Sequence, residues 1–411
     1  MTTLTSSGVG LDPADPAFRA DPYSFYRALR EQGPAVLLAD TRAWAVSGYE
    51  QVKTLLRDPR LRPQPLAPAV EAPPSDHLVL RAHQDAERLL ASFMHHRARA
   101  DHARLRRLVT PAFSPSRVEA RRARIQSLTD KRIEDGLSRG RLDVVHDLGW
   151  PLSMTVIAEV VGVPERLLPA ASKWARELVY RLKAVPTAVE KERGRLAVVG
   201  LAGLVRELTS DGTPPGLADE GLLWALERAR REGALSEEEV VAQCTVFLLV
   251  GHITTQHLVG NGVLALLRNP DQWELLRARP ELIGTAVEEL VRYDTPAPVL
   301  PCIASEDLEV AGETIRRGEA VLLLLSAAHR DPAVFADPDR LDITRSPNPH
   351  LGFGHGAHHC VGAALATLEA RVAIGTLVRR VAAPRLETEA LEWTDALPVR
   401  GLASLPILMG D

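Results

Sequence analysis

The chain has 411 residues, with 49 lysines and arginines against 53 aspartates and glutamates, a net charge of −4 and 45% hydrophobic residues. This composition is typical of a soluble globular protein, and it excludes a strongly basic nucleic-acid-binding protein. The three cysteines, Cys244, Cys302 and Cys360, are odd in number and far apart, so they predict no disulfide framework and fit a reducing cytoplasm.

The N-terminal residues and the apolar runs of the chain predict neither a signal peptide nor a membrane span. Residues 1–7 lack the basic and apolar regions of a signal peptide. The longest wholly apolar stretch, residues 320–325, is far shorter than a membrane span. We therefore expect a cytoplasmic protein with no membrane and no nucleic-acid partner.

Along the chain, helical periodicity dominates and short strands interrupt it. A Pro-rich connector at 62–74 is expected to be a surface loop, and residues 118–232 are expected to be helical with short breaks. Ser236 and Glu239 form a capping-box pattern that predicts a long helix through about Leu267. The other predicted elements are helices at 22–32 and 49–56, a hairpin of strands 36–38 and 43–46, and a strand–turn–strand unit made of 310–315 and 320–323.

Two pairs of polar residues lie at helical spacing. His102 and Arg106 are four residues apart and therefore share one helix face, which by spacing alone is equally well a solvated basic face. Glu289 and Arg292 are three apart and face each other, although such a pair alone usually indicates a surface ion pair.

The most informative stretch is the glycine-rich segment 353–362, which contains Cys360. An apolar stripe at 365–372 predicts a helix directly after it, so the cysteine lies where unpaired backbone N–H groups and the helix dipole favour an anion. That setting favours the thiolate, which is a metal ligand. Glycines at 354, 356 and 362 let the backbone pass close to a flat, wide group. The group that fits is haem, with Cys360 as the axial ligand.

A zinc site is the alternative interpretation of this segment. The available ligands would be His350, His355, His358, His359 and Cys360. Structural zinc sites usually contain paired cysteines, and the cysteines of this chain are far apart. A lone cysteine is otherwise most often an inert core residue.

The pattern Phe-Gly-x-Gly-x-His-x-Cys-x-Gly resembles the haem-binding loop of the cytochrome P450 family, the haem-thiolate monooxygenases. The resemblance extends over nearly the whole chain and is to the soluble bacterial branch of that family. It implies a mainly α (α+β) fold, a helix-rich triangular prism with small β-sheets, formed by a single domain over residues 1–411. It also implies haem b, iron protoporphyrin IX, as cofactor.

The resemblance assigns roles to residues in four segments. His102 and Arg106 would hold a haem propionate, since a cationic pair suits a carboxylate. Glu289 and Arg292 would form a buried structural pair behind the haem. The implied cofactor-binding residues are His102, Arg106, Phe353, Gly354, His358, Cys360 and Gly362, with Cys360 as the metal ligand.

Residues 248–255 resemble the oxygen-binding helix of the family. The implied catalytic residues are Gly251, which allows close approach to the haem, Thr254, which hydrogen-bonds to dioxygen, and Thr255. The family normally has Asp or Glu before the threonine, and this chain has Ile253. Proton delivery is therefore expected to use Thr254 with ordered water, His252, or a polar group of the substrate.

The substrate pocket implied by the resemblance is apolar, so a mostly apolar organic substrate of natural-product type is expected. Helices near 167–183 and 188–209 would form its mobile roof. Cys302 stands where the family often has an arginine for the other propionate, so that anchor is missing or supplied elsewhere. The predicted pocket walls are Val246, Leu249, Val250, Val299 and Leu300.

The expected reaction inserts one oxygen atom of O2 into this substrate, by hydroxylation or epoxidation in secondary metabolism. Electrons are expected from a separate ferredoxin-type donor, and the protein is expected to be a monomer. Arg97, Arg99, Arg104 and Arg107 could attract an acidic ferredoxin, and scattered solvated charge explains them equally well. Two alternatives remain open, namely a haem-thiolate enzyme with peroxide-driven or oxidative-coupling chemistry and a non-catalytic haem-binding protein.

Overall fold

The computed structural model describes residues 12–39, 41–63, 77–183, 185–210, 221–396 and 398–410, with backbone only at 77–83 and 210. The chain is mainly helical with small sheets, as predicted. The α-helices are α1 (Pro16–Ala20), α2 (Tyr23–Gln32), α3 (Tyr49–Leu55), α4 (His77–Ala91), α5 (Arg99–Val109), α6 (Pro115–Ala120), α7 (Arg122–Arg139), α8 (Trp150–Val161), α9 (Leu168–Glu177), α10 (Ala188–Ser210), α11 (Leu222–Arg231), α12 (Glu237–Arg268), α13 (Pro270–Ala278), α14 (Ile283–Tyr293), α15 (Leu325–Ala328) and α16 (Ala363–Arg380). The strands are β1 (Ala35–Leu37), β2 (Trp44–Val46), β3 (Leu61–Pro63), β4 (Arg141–Asp143), β5 (Val299–Ala304), β6 (Leu308–Val310), β7 (Glu313–Ile315), β8 (Ala320–Leu324), β9 (Arg385–Leu386) and β10 (Pro406–Leu408).

Local sequence explains where the long helix α12 begins. The backbone N–H of Glu239 donates to Ser236 Oγ at 3.1 Å, and the N–H of Ser236 donates to Glu239 Oε2 at 2.9 Å. This reciprocal pair is the predicted capping box, and it satisfies two N–H groups that would otherwise lack partners. The start and the length of the helix are therefore confirmed.

The chain folds into two compact units, of which the first comprises residues 1–64, 121–152 and 254–411. It contains a five-stranded sheet in the order β1-β2-β8-β5-β3, in which β1 and β2 form the predicted hairpin. Strand β8 lies parallel to β2, with Trp44 opposite Val321, and antiparallel to β5, with Val299 opposite Leu324. A small sheet, β4-β10-β9, and the hairpin β6-β7 also lie in this unit. The core behind the large sheet includes Trp44, Tyr49, Leu323, Phe335 and Leu351.

The prediction for residues 310–323 is confirmed in part: strands lie at Glu313–Ile315 and Ala320–Leu324, but a turn at 311–312 divides the predicted first strand. Strand β7 turns back on β6 through Ala311 and Gly312, which have φ of 54° and 89°. Strand β8 joins the large sheet between β2 and β5 instead. The turn chemistry explains the difference, because two successive residues with positive φ make the tight hairpin turn at 311–312.

The second unit comprises residues 65–120 and 153–253 and is helical where it is described. Helix α10 packs on α9 and α4, and α11 packs on α5. At Gly200, a Cβ would lie 2.3 Å from the Trp174 ring, so a glycine is needed for the close packing of α10 on α9. The predicted roof helices correspond to α9, extended by a 3-10 turn at Leu178–Arg181, and to α10.

Three further predictions concern the connector, the number of domains and the absence of a membrane span. The connector at 62–74 lies outside the described residues from position 64 onward. The single domain over residues 1–411 stays a prediction. One helical stretch, Val144–Val161, is long and apolar enough to cross a membrane, but 72% of it is buried inside the protein, as in a core helix.

Candidate active site

The loop that carries Cys360 is fixed by backbone hydrogen bonds. The N–H of Cys360 donates to the carbonyl oxygen of Phe353 at 2.8 Å, and the N–H of Gly354 donates to that of Leu351 at 2.8 Å. Gly354 and Gly356 have φ of 71° and 76°, a left-handed conformation that favours glycine. The loop therefore returns on itself and holds the cysteine at a defined place.

Cys360 lies exposed beside the start of α16. The Gly362 carbonyl accepts the first helical bond, from Ala366 N–H at 2.9 Å, and a Cβ on Gly362 would lie 3.9 Å from Cys360 Sγ. The thiol thus stands next to the N-terminal turn of a helix of 18 residues. The backbone N–H groups there favour a thiolate. Phe353 is half-buried, and His358 is exposed in a 3-10 turn, Gly356–His358.

A buried ion cluster supports the segment before this loop. Both oxygens of Glu289 accept from Arg292, at 2.7 Å from Nε and 2.8 Å from Nη2, and the two side chains are completely buried. Arg345 Nε donates to Glu289 at 3.2 Å, as does Asn348 Nδ2. Sequence reasoning missed Arg345, because nothing local in the sequence marks a residue 56 positions away as the second cation.

Two histidines hold the backbone between this cluster and the loop. His329 is fully buried, and its Nε2 accepts from Leu351 N–H at 2.8 Å. Burial lowers the pKa of His329 well below its usual value, so the ring is neutral and can accept this bond. His350 Nδ1 accepts from Gly352 N–H at 3.3 Å, and its Nε2 lies 2.9 Å from Glu288 Oε2. Both rings orient the chain that leads to Cys360.

Most residues in the middle of helix α12 are buried, but one face of the helix is open to solvent. Val250 is 39% exposed, and Gly251 and Thr254 are partly exposed, whereas the neighbours on the other sides are buried. Thr255 is buried on a different side of the helix. An open face that contains one hydroxyl and apolar atoms suits a small reactant beside a flat apolar group.

The structure gives Gly251 a packing role that the sequence did not indicate. A Cβ at this position would lie 2.4 Å from Ile157 Cγ1, so α8 approaches α12 closely because residue 251 has no side chain. The predicted role of Gly251 toward a haem stays a prediction.

One buried histidine on α12 was not noticed in the sequence. His257 is 4% exposed, and burial, with a smaller contribution from the charge of His146, lowers its pKa to about 4. It lies three residues after Thr254, one helical turn along α12. The spacing of three residues from Thr254 is the sequence feature that could have identified His257.

His102 and Arg106 lie on one face of α5, as their spacing predicts. His102 is buried, and Arg106 is half-buried. Helix α5 begins at Arg99, so the atypical sequence before His102 forms its first turn. Arg104, on another face, donates to Glu239 and to the Ala234 carbonyl. Arg104 is therefore occupied within the protein, while Arg99 and Arg107 are exposed.

The predicted pocket walls occupy different surroundings. Val246 is buried, and Leu249 lines an apolar cavity with Leu90, Phe93 and Leu178. In the other unit, Val299 lines a cleft with Tyr26, Trp393 and Gly401, and Leu300 is half-buried against the core of the large sheet. Both cavities have mostly apolar linings, and the assignment of these residues to one substrate pocket stays a prediction.

Cys302 is part of the core of the large sheet. It is 7% exposed, and burial raises the pKa of its thiol to about 12, so it is a neutral core residue. A neutral cysteine fits this buried environment, whereas a buried arginine would need a carboxylate partner.

The residues around Cys360 fit a haem better than they fit zinc. Haem ligation needs one exposed thiolate donor on a fixed loop, and the hydrogen bonds of Cys360 and the left-handed glycines supply it. Among the described residues, no three metal-ligating side chains come together in a way that could hold a metal ion alone. The site thus offers one thiolate ligand, and the other ligands of the metal would come from a cofactor.

Comparisons with known proteins agree with this chemistry. The family model described as Cytochrome P450 matches residues 220–387. The biotin biosynthesis cytochrome P450 of Bacillus subtilis strain 168 is 36% identical over 398 residues, which cover 96% of this chain and 98% of that protein. The 6-deoxyerythronolide B hydroxylase of Saccharopolyspora erythraea is 35% identical over 399 residues, which cover 95% of this chain and 96% of that protein.

A solved structure extends the likeness to the fold. The crystal structure of P450BioI in complex with an acyl carrier protein that carries hexadec-9Z-enoic acid matches with a TM-score of 0.86 and 34% sequence identity. The match covers 96% of this chain and 100% of that one.

Proposed function

The chain belongs to the cytochrome P450 family, and from this premise we propose that Cys360 is the thiolate ligand of its haem iron. The protein is a monooxygenase that inserts one oxygen atom of O2 into an organic substrate of natural-product type. When bound, the haem supplies the oxygen activation, and thiolate ligation favours cleavage of the O–O bond. The observation that carries the assignment is the exposed Cys360, held by the 2.8 Å bond of its N–H to Phe353 at the start of α16.

The residues of the chain position the haem ligand, protect the site from water and supply protons. The loop 353–362 keeps the Cys360 sulfur in place at the start of α16, and Glu289, Arg292 and Arg345 hold the backbone behind it. Thr254 presents the hydroxyl on the open face of α12, where we place the oxygen substrate. Apolar side chains such as Leu249, which lines an apolar cavity, exclude water and bind the substrate by burial.

For the substrate we propose a mostly apolar natural product or its carrier-bound precursor. The support is the apolar lining of both cavities, together with one relative named 6-deoxyerythronolide B hydroxylase and one solved structure of a P450 in complex with an acyl carrier protein. A spectral-shift screen of the purified protein against such compounds tests this. A shift of the haem spectrum with an apolar ligand, followed by product that depends on added reductant, is the expected result. Product formed only with peroxide would favour the alternative chemistry.

We assign one haem propionate to His102 and Arg106, which lie on one face of α5. The Cys302 thiol is a neutral group buried in the core, so it offers no anchor for the other propionate. A charge-assisted bond contributes about 1.5–3 kcal/mol. Arg106→Ala should therefore weaken haem retention by roughly tenfold or more, which haem transfer to an excess of apomyoglobin measures. The control is Arg104→Ala, whose side chain is occupied by Glu239. Equal haem loss in both variants would contradict the assignment.

The protein takes electrons from a redox partner, and we propose that the partner is an acidic ferredoxin that docks near α5. The support is the exposure of Arg99 and Arg107 on that helix. Arg107→Glu should lower the rate of reduction by ferredoxin at low salt, and the difference should shrink as salt rises. Arg317→Glu, the same charge change at another exposed position, serves as the control. A partner that reduces both variants at the wild-type rate would exclude this docking face.

Two finer features complete the proposal. We place the protein in the cytoplasm, whose reducing conditions suit three cysteines that are far apart in the sequence, and we expect it to act as a monomer. Size-exclusion chromatography with light scattering checks the second point, and a mass of twice 44.8 kDa would contradict it.

A further inference from the structure

A small cavity in the second unit is bordered mostly by apolar side chains. Leu90, Phe93 and Leu249 are buried apolar residues of its lining, and the lining also includes His96 and Arg181. The volume of the cavity is about 20 Å³. A single water molecule needs roughly 10–15 Å³, so the cavity is a subsite for one small polar group and not for a whole substrate.

The His96 ring has one nitrogen that is bound and one that is not. Its Nδ1 lies 2.9 Å from the carbonyl oxygen of Leu90. Because a carbonyl oxygen only accepts hydrogen bonds, Nδ1 carries the hydrogen and Nε2 has a lone pair. Nε2 is buried and has no hydrogen-bond partner among the described residues. Burial lowers the pKa of His96, against the bond with the Leu90 carbonyl, which raises it, so the ring is neutral at pH 7. Nε2 is thus a buried acceptor that needs a donor.

Hydrogen bonds to helix α12 hold the segment that carries His96. Gln243 of α12 is completely buried, and its Nε2 donates to the Ser92 carbonyl at 3.0 Å. Its Oε1 accepts from the N–H of Met94 at 3.2 Å. The N–H of His96 donates to the Phe93 carbonyl at 2.9 Å. The ring is therefore in position before a ligand binds, which lowers the entropy cost of binding.

Other polar side chains of the cavity are engaged within the protein. Arg181 Nη1 donates to Glu87 Oε1 at 3.4 Å. The Arg181 side chain is only 12% exposed, and Glu87 supplies the carboxylate that a buried arginine needs. The ring of His95 packs on that of His96, with centroids 4.0 Å apart, and His95 takes part in further interactions. Nε2 of His96 is therefore the atom that a ligand can use here, and a lone pair attracts a donor and repels a carboxylate.

We propose that His96 Nε2 accepts a hydrogen bond from the substrate, so that this subsite selects an otherwise apolar molecule with a hydroxyl or amide N–H group. The apolar neighbours Leu90, Phe93 and Leu249 make an unpaired nitrogen costly, because they offer it no other partner. A ligand that fills the cavity without a donor leaves Nε2 unpaired and is disfavoured. This inference rests on the proposed monooxygenase function and deepens it by naming the polar group that the substrate carries.

The experiment compares two ligands of the haem-loaded protein, 1-dodecanol and 1-methoxydodecane. Both have an oxygen near the end of an apolar chain, but only the alcohol has an O–H to donate. Their dissociation constants are measured from the change in the haem spectrum, and by calorimetry where a ligand leaves the spectrum unchanged. We expect the wild type to bind the alcohol about tenfold more tightly, because a ligand without a donor leaves a buried acceptor unpaired.

The variants remove the acceptor and leave the rest of the subsite in place. His96→Phe keeps a flat ring without a lone pair, so it should bind the two ligands equally well. His96→Leu is the second variant in case phenylalanine prevents folding, and haem content shows which variant is folded. The control is His146→Phe, the same change at an exposed position, which should keep the preference of the wild type.

Four results would overturn the subsite. Equal affinity of the wild type for both ligands would mean that the cavity holds only water. A preference that persists in both His96 variants would come from the size of the ligand and not from the acceptor. A preference that His95→Phe removes and the His96 variants keep would assign the bond to His95. Tighter binding of dodecanoate than of 1-dodecanol would show that Arg181 selects the ligand.

The reduced carbonyl spectrum separates this inference from the proposed function. A wild-type protein without the red-shifted band would contradict the assignment of Cys360. A normal band in all variants, together with equal affinities for the alcohol and the ether, would contradict only the subsite.

Discussion

Replacing Cys360 by histidine should abolish product formation and still leave a folded protein that contains haem. Imidazole can ligate iron, but it lacks the electron donation of a thiolate that favours O–O cleavage. The backbone bond from residue 360 to the Phe353 carbonyl oxygen does not need the side chain, so the loop should keep its path. Product assays, haem content and thermal unfolding of the variant measure the three parts of this expectation.

Cys302→Ala is the matched control, since Cys302 is a buried neutral thiol in the core of the large sheet. It should lose some stability and still form product. Product formation at the wild-type rate by Cys360→His would show that another residue ligates the iron, and haem loss in the control alone would place the ligand at Cys302.

Glu289→Ala should give the largest loss of stability among the substitutions considered. The carboxylate accepts two bonds from Arg292, and Arg345 Nε donates to both of its oxygens at 3.2 Å. Both Glu289 and Arg292 are completely buried. Removal of one partner of a buried pair leaves an uncompensated charge and typically costs about 3–5 kcal/mol. Because this is a large share of the stability of an ordinary domain, little folded protein should accumulate at 37 °C. Denaturant unfolding at lower temperature measures the difference.

The control is Glu281→Ala, which breaks the exposed pair of Glu281 with Arg279. Exposed pairs contribute little, so this variant should unfold at the wild-type midpoint. If Glu289→Ala also unfolds at that midpoint, the cluster does not support the fold, and its proposed role behind the loop is wrong.

The sequence was sufficient to predict the family, the helical character and the capping box of α12, because these depend on local patterns. The loop 353–362 combines glycines and a cysteine at fixed spacings, and the capping box needs only Ser236 and Glu239. The hairpin β1–β2 was also predictable, because two short apolar runs flank a short polar turn.

The pairing of strands and the partners of buried charges were not predictable in the same way. Strand β8 pairs with β2, although more than 270 residues separate Trp44 from Val321, and no local signal specifies such a register. Arg345 joins Glu289 for the same reason, since the contact depends on the tertiary fold.

The roles of single residues on α12 depended on burial that the sequence could not give. Gly251 packs against Ile157, and the ring of His257 packs against Gly401. The sequence alone showed neither the contact of Gly251 with Ile157 nor the burial of His257.

The central claim is that Cys360 binds haem iron as a thiolate, and the most direct test is the absorption spectrum of the reduced carbonyl complex of the purified wild-type protein. We predict the strongly red-shifted Soret band that is characteristic of haem-thiolate proteins. A band at the position found for histidine-ligated haem, or a protein that contains zinc and no haem, would contradict the claim.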